Sequence, residues 1–146
     1  MVYSFEDIQA TLSGPGGVVS LGFGAAVAKE GLSIEFVDEK DAMIVGADGQ
    51  VVHSLRPSKA AKIMVRLMKT SPNNAALSQM YNTQIGSSLF WGQNVLTVTN
   101  PVTGDDYPCT QVAFAKFPAI TWAEDPNVNE WTFNAGQADP ILGVGI

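Results

Sequence analysis

Glycine and proline punctuate this chain at short intervals, and no other feature constrains its fold as much. Breaks fall at Ser13-Gly14-Pro15-Gly16-Gly17, Gly22-Phe23-Gly24, Gly46-Ala47-Asp48-Gly49, Asn100-Pro101-Val102-Thr103-Gly104-Asp105 and Asn134-Ala135-Gly136. The stretches between them are short and either alternate in polarity or are rich in β-branched and aromatic residues, the pattern of strands joined by turns. Leu32, Ile34 and Phe36 share one face of Leu32–Val37, and Val95–Thr99 is a strand by composition. Asp41–Val45 and Gln50–Leu55 flank the Gly46–Gly49 turn, whose Asp-Gly pair suits positive φ, so a hairpin or long folded loop is expected there. Further strands are expected at Gln111–Lys116, Ala119–Ala123 and Glu130–Asn134. The architecture is mainly β.

One helix interrupts it. Ser71 suits an N-cap and Pro72 the first helical position; Ala76, Leu77, Met80, Tyr81 and Ile85 then form one stripe, and Gly86 ends it. The expected helix runs from Pro72 to Gln84. Ser58–Lys69 reads two ways, because Lys59, Lys62, Arg66 and Lys69 have helical spacing while Lys62, Met64, Arg66 and Met68 also alternate with Ile63, Val65 and Leu67. Alanine and lysine favour a helix there, whereas the bracketing Pro57 and Pro72 and the Ile63/Val65/Leu67 face favour a half-buried strand.

With 146 residues, 46% of them apolar, the chain can bury a core as one domain spanning 1–146, and no proline-rich or low-complexity linker divides it. Its net charge is −6. Residues 1–58 hold 3 basic and 8 acidic side chains, residues 59–69 hold 4 basic and none acidic, and residues 70–146 hold 1 basic and 6 acidic. Such a surface repels phosphate on average, unlike that of a nucleic-acid reader. A single cysteine, Cys109, allows no internal disulfide, and with the single histidine, His53, it cannot build a zinc site of the usual kind. No apolar stretch approaches the roughly 20 residues of a membrane span, and Met1–Asp7 lacks the features of a signal peptide, so synthesis in a cytoplasm without membrane binding is expected.

Catalytic and cofactor signatures are wanting. Gly22-Phe23-Gly24 has only the first two glycines of a dinucleotide fingerprint, and no glycine-rich loop leads into Gly-Lys-Ser or Gly-Lys-Thr. Asp38-Glu39-Lys40-Asp41 and Asp105-Asp106 lack calcium-loop spacing, and Glu124-Asp125 before Pro126 reads as a turn. His53 has no nucleophile elbow to serve, and Cys109 after Pro108 reads as a small apolar strand residue. No catalytic, cofactor or metal residue is expected. Trp91, Trp122 and Trp131 are not interleaved with basic residues, so they read as core or interface aromatics. The basic cluster Lys59, Lys62, Arg66 and Lys69 is expected to pair with carboxylates of a neighbouring subunit.

Gly46-Ala47-Asp48-Gly49-Gln50-Val51-Val52-His53-Ser54, followed by Lys62-Ile63-Met64-Val65-Arg66-Leu67 and Lys69-Thr70-Ser71-Pro72-Asn73-Asn74-Ala75-Ala76-Leu77, resembles the tail tube proteins of contractile-tailed bacteriophages. More narrowly it resembles a phage structural family long catalogued as a domain of unknown function. The likeness extends to Tyr3-Ser4-Phe5-Glu6-Asp7 with Ser13–Gly17, to Trp91-Gly92-Gln93-Asn94 with Asn100–Asp105, and to Glu130-Trp131-Thr132-Phe133-Asn134-Ala135-Gly136. No single motif is diagnostic; their order and spacing are.

The resemblance implies two packed antiparallel sheets forming a β-sandwich or barrel with one flanking helix, and it makes Lys62–Leu67 a strand. It implies a homo-oligomer of stacked hexameric rings forming a hollow channel for DNA delivery in a virion tail, with a surrounding sheath and an internal tape-measure protein as partners. By position, Val37–Arg56 is the candidate ring-stacking hairpin, with Glu39, Lys40, Asp41, Asp48, Gly49, His53 and Arg56 as its named residues. Lys62, Met64, Arg66 and Met68 are the candidate inter-subunit or lumen-facing strand. DNA must slide past without specific binding, so acidic or neutral groups are expected along the lumen, with Lys62 and Arg66 neutralised by neighbours. The alternatives are a tube subunit of a related injection machine, such as an R-type pyocin or type VI secretion apparatus, and a monomeric β-sandwich binding module.

Overall fold

The computed structural model describes residues 8–21, 27–124 and 128–143. The stretches Tyr3–Asp7, Gly22–Gly24 and Asp125–Pro126 named above lie outside the described residues. Among those described, the order of elements is β1 (Gln9–Gly14), β2 (Gly17–Ser20), β3 (Val27–Phe36), β4 (Asp41–Val45), β5 (Val51–Leu55), β6 (Ala61–Met68), α1 (Asn73–Ile85), β7 (Asn94–Asn100), β8 (Asp105–Lys116) and β9 (Val128–Ala138). Seven strands form one sheet in the order β2-β1-β7-β8-β9-β6-β3, and β4 and β5 form a second. Every pairing is antiparallel.

The alternation of β6 decides which face turns inward. Ala61, Ile63, Val65 and Leu67 are buried, and their partners Ala135, Phe133, Trp131 and Asn129 on β9 are buried with them. The same face continues through Phe114, Val112 and Cys109 on β8, Leu96 on β7, Leu12 and Ala10 on β1 and Val19 on β2. Leu32, Ile34 and Phe36 on β3 pack against it from the far edge. Two strands lie between β3 and β8 in the ladder, yet the Phe36 and Tyr107 rings come within 6.4 Å, so the sheet curls over its own apolar face. It remains open, with β2 and β3 as its edges, and is not closed into a barrel.

An aromatic cluster fills the middle of this core. Phe114 lies 4.9 Å from Phe133 and 5.9 Å from Trp131, while Tyr81 of α1 stands edge-on to Phe114 at 5.6 Å and tilts onto Phe117 at 5.3 Å. Such contacts add about 0.5–1.5 kcal/mol per pair beyond the area they bury. The Trp131 indole N–H donates to Asn74 Oδ1 at 2.9 Å, which ties the start of α1 to β9.

The mainly β fold with one helix and two antiparallel sheets agrees with the sequence reading, and Ser58–Lys69 resolves as strand β6. Ala119–Ala123 is a correction: it carries no strand. Pro118, which has no N–H to give a ladder, follows the end of β8, and the Thr121 carbonyl takes its hydrogen bond from the Lys69 ammonium. Ile85 is a second correction, exposed rather than part of the buried stripe; Leu77, Met80 and Gln84 are the buried side chains of α1. β1 and β2, which embrace the Gly14–Gly17 turn, went unpredicted as strands. Asn73, not Pro72, opens the helix, and the Ser71 hydroxyl accepts from the Asn73 N–H at 3.3 Å.

Candidate assembly surfaces

The β4–β5 hairpin is built as its sequence suggests and is almost entirely uncovered. Its register pairs Asp41 with Leu55, Met43 with His53, Ile44 with Val52 and Val45 with Val51. Gly49 closes the turn at φ +85°, a left-handed conformation that glycine adopts without strain, and Asp48 Oδ1 accepts from the Gln50 N–H. Ala42 is the one residue of the two strands that is partly covered. Met43, Ile44, Val45, Val51, Val52 and Leu55 are all exposed, Leu55 at 85%. A two-stranded sheet with apolar side chains on both faces is marginal alone in water.

The remaining predicted hairpin residues gather at its base or on one face. His53 Nδ1 lies 2.8 Å from Asp41 Oδ2. The Arg56 N–H donates to the Lys40 carbonyl, while the Lys40 ammonium donates to the Ser58 carbonyl and sits 5.6 Å from the Phe36 ring centroid. Glu39 is exposed beside them.

Lys62, Met64, Arg66 and Met68 alternate with the buried residues of β6 and therefore share the outer face of the sheet. Glu35 of β3 stands directly opposite Lys62, and Arg66 Nε donates to Glu130 Oε2 at 3.0 Å from β9. The Lys59 ammonium donates to Asp139 at 2.9 Å, and that hydrogen bond holds the Asp139 carboxyl below its usual range. The Lys69 ammonium sits 5.1 Å from the Trp122 ring centroid. Lys59 and Arg66 each meet a carboxylate of their own chain, brought close by the β6–β9 ladder and the turn back after β9.

The three tryptophans divide. Trp131 is buried, Trp91 is partly uncovered on the turn after α1, and Trp122 is 82% exposed. Ile85, Leu89 and Phe90 are uncovered on the same stretch as Trp91. Sequence reasoning missed this patch although a signal was present: no Asp, Glu, Lys or Arg occurs from Thr70 to Gly104. Cys109 lies in the interior of β8, and burial raises its thiol to about 11.

The family described as bacteriophage PhiTE tail tube protein matches residues 1–143. No curated protein matches the chain. Among solved structures, a chain of the sheath–tube complex of an extracellular contractile injection system (PVC, extended state) is similar at TM-score 0.56 and 12% identity, covering 97% of this chain and 92% of that one. A chain of the anti-feeding prophage tube-terminating cap follows at TM-score 0.55 and 12% identity, over 98% and 92% of the two chains. A chain of the anti-feeding prophage baseplate follows at TM-score 0.51 and 11% identity, over 100% and 98%. At these identities the likeness is one of fold.

Proposed function

The chain belongs to the bacteriophage PhiTE tail tube protein family, and from that premise we propose that it assembles as stacked hexameric rings whose common bore passes the genome. Its role is structural, and the working surfaces are interfaces rather than a catalytic centre. The observation that carries this reading is the hairpin of residues 41–55, apolar on both faces and uncovered in the single chain. In this reading the hairpin reaches the adjacent ring, with Asp41, His53, Lys40, Arg56 and Glu39 ordering its base and Asp48 and Gly49 its tip.

The open sheet supports the same reading. Among the described residues β2 and β3 are the edges of the seven-stranded sheet, and such edges are liabilities in an isolated molecule that become joints when a neighbour completes them. A heterologous contact repeated by rotation closes a ring, and a rise between rings extends it into a tube. The outer face of β6, with Lys62, Met64, Arg66 and Met68, is assigned to the lumen wall or the joint beside it. Glu35 opposite Lys62 and Glu130 on Arg66 keep that face from presenting bare cations to passing phosphates. A surrounding sheath and an internal tape-measure protein complete the proposed set of partners.

Negative-stain electron microscopy across a concentration series tests the assembly directly. Rings with a central hole or hollow tubes of uniform width are the expected result. Removing the turn Gly46–Gly49 is expected to leave folded subunits that stack poorly, and tubes formed as readily without it would refute the hairpin's role.

A further inference from the structure

Two uncovered surfaces of this chain match each other in polarity. The first is one face of the β4–β5 hairpin. Cross-strand partners share a face, so Ala42, Ile44, Val52 and Ser54 lie together without an ionisable group, whereas the opposite face holds the Asp41–His53 pair among the exposed Met43, Val45, Val51 and Leu55. The second is an open groove of about 470 Å³ where α1 ends, lined by Gln84, Ile85, Ser87, Ser88 and Trp91. Leu89 and Phe90 are exposed on the same turn.

This groove differs in charge from the other described ones. The groove between β3 and β7 includes Asp105 and Tyr107, and the one at the end of β3 includes Glu35 and Lys62. The α1 groove has no ionisable lining, and the run from Thr70 to Gly104 has no charged side chain anywhere. A helix that faces water ordinarily displays charge on its outer side, so an uncharged helix ending in exposed Ile85, Leu89, Phe90 and Trp91 is built to be covered. A stacked assembly needs two unlike patches on every subunit, one that inserts and one that receives, because a heterologous contact does not pair a patch with itself. The hairpin inserts.

We propose that the Ile44/Val52 face of one copy's hairpin seats in the Ile85–Trp91 groove of a second copy of this chain. The proposal rests on the reading of the hairpin as the stacking element and names the surface that receives it. Apolar meets apolar with no charge stranded in the groove, and the opposite face, where the Asp41–His53 pair stands among Met43, Val45, Val51 and Leu55, is left clear of it. Ser88 at the groove offers a hydroxyl to the backbone groups along the hairpin's free edge.

Photo-cross-linking of the assembled protein tests it. With p-benzoyl-phenylalanine in place of Ile44, irradiation and peptide mapping are expected to join residue 44 of one copy to residues 84–91 of another. The yield is expected to fall at least tenfold when the receiving copies carry Leu89→Glu, whose exposed position leaves the monomer folded, as circular dichroism checks. The same probe in place of Val51, on the opposite face, is expected to miss the groove, and equal yield from both positions overturns the assignment of the face. Cross-links to a different segment of a second copy overturn the groove while leaving the hairpin's stacking role intact. No cross-link between copies at all overturns both.

Discussion

The carboxamides of Gln84 and Asn94 face one another inside the protein and exchange two hydrogen bonds, at 2.7 and 2.8 Å. Gln84 also donates to the Pro15 carbonyl at 2.9 Å, so the last turn of α1, the start of β7 and the β1–β2 turn are fastened at one point. Both side chains are fully buried, where an unmet amide is costly and a met one specifies geometry. The fastening sits directly beneath the Ile85–Trp91 turn.

Gln84→Leu is therefore expected to destabilise the chain by about 1–3 kcal/mol, because the Asn94 amide and the Pro15 carbonyl lose their partner. Adding Asn94→Leu should recover part of that loss by removing the stranded amide. Urea unfolding midpoints of the two variants provide the check; an unchanged midpoint for Gln84→Leu would show that the pair contributes nothing.

Gly14 guards the same pair. A Cβ there would fall 1.9 Å from Asn94 Oδ1, so Gly14→Ala must push Asn94 aside or move β1. The expected cost is about 1–3 kcal/mol. Combined with Gln84→Leu it should cost less than the sum of the two, since both break one interaction; strict additivity in the same urea assay would count against a shared cause.

Cys109 makes stability fall at alkaline pH. Burial raises its thiol from the ordinary 9.0 to about 11 in the folded chain, with the Asp139 charge adding to the effect. Between those values the unfolded chain releases the proton and the folded chain keeps it, so the stabilisation is fully present below about 9 and disappears as pH rises toward 11. A loss on the order of 1–2 kcal/mol over that interval is expected, and Cys109→Ala should flatten it. Denaturant titrations at pH 8, 9, 10 and 11 measure the slope.

Glu130→Gln tests the assignment of the outer face of β6. Arg66 shares an exposed ion pair with Glu130, so stability should change by less than about 1 kcal/mol. DNA retention by assembled protein should rise and become more salt-dependent, because a cation on the path of the phosphates has lost a neutralising partner. Retention unchanged in a filter-binding series would remove this face from the lumen wall.

Local patterns in the chain made several elements legible. The Asp48-Gly49 turn announced the hairpin, whereas the alternation of Ile63, Val65 and Leu67 with Lys62, Met64 and Arg66 competed with the helical spacing of Lys59, Lys62, Arg66 and Lys69, so local pattern left β6 open until its pairing with β3 and β9 settled it. Trp122 read as a core or interface aromatic and Ile85 as part of the helix stripe, and both lie exposed, because their cover depends on what packs over them and not on their own spacing. Ala119–Ala123 had strand composition and pairs with no strand among the described residues.

Chain-local chemistry was enough to determine the β character of this protein, its main turns and the single helix. Period-2 and period-3.6 patterns, proline's missing N–H and glycine's access to positive φ all act within a few residues. Tertiary structure alone decided that Arg66 meets Glu130, that Gln84 meets Asn94 beside Pro15, and that the two apolar surfaces of the hairpin and the α1 groove remain uncovered. Partners far apart in the chain, as Arg66 and Glu130 are, come together only when the strands between them have chosen their order. Exposure is likewise a property of the whole packing, so an uncovered apolar surface becomes visible only after everything else has found its place.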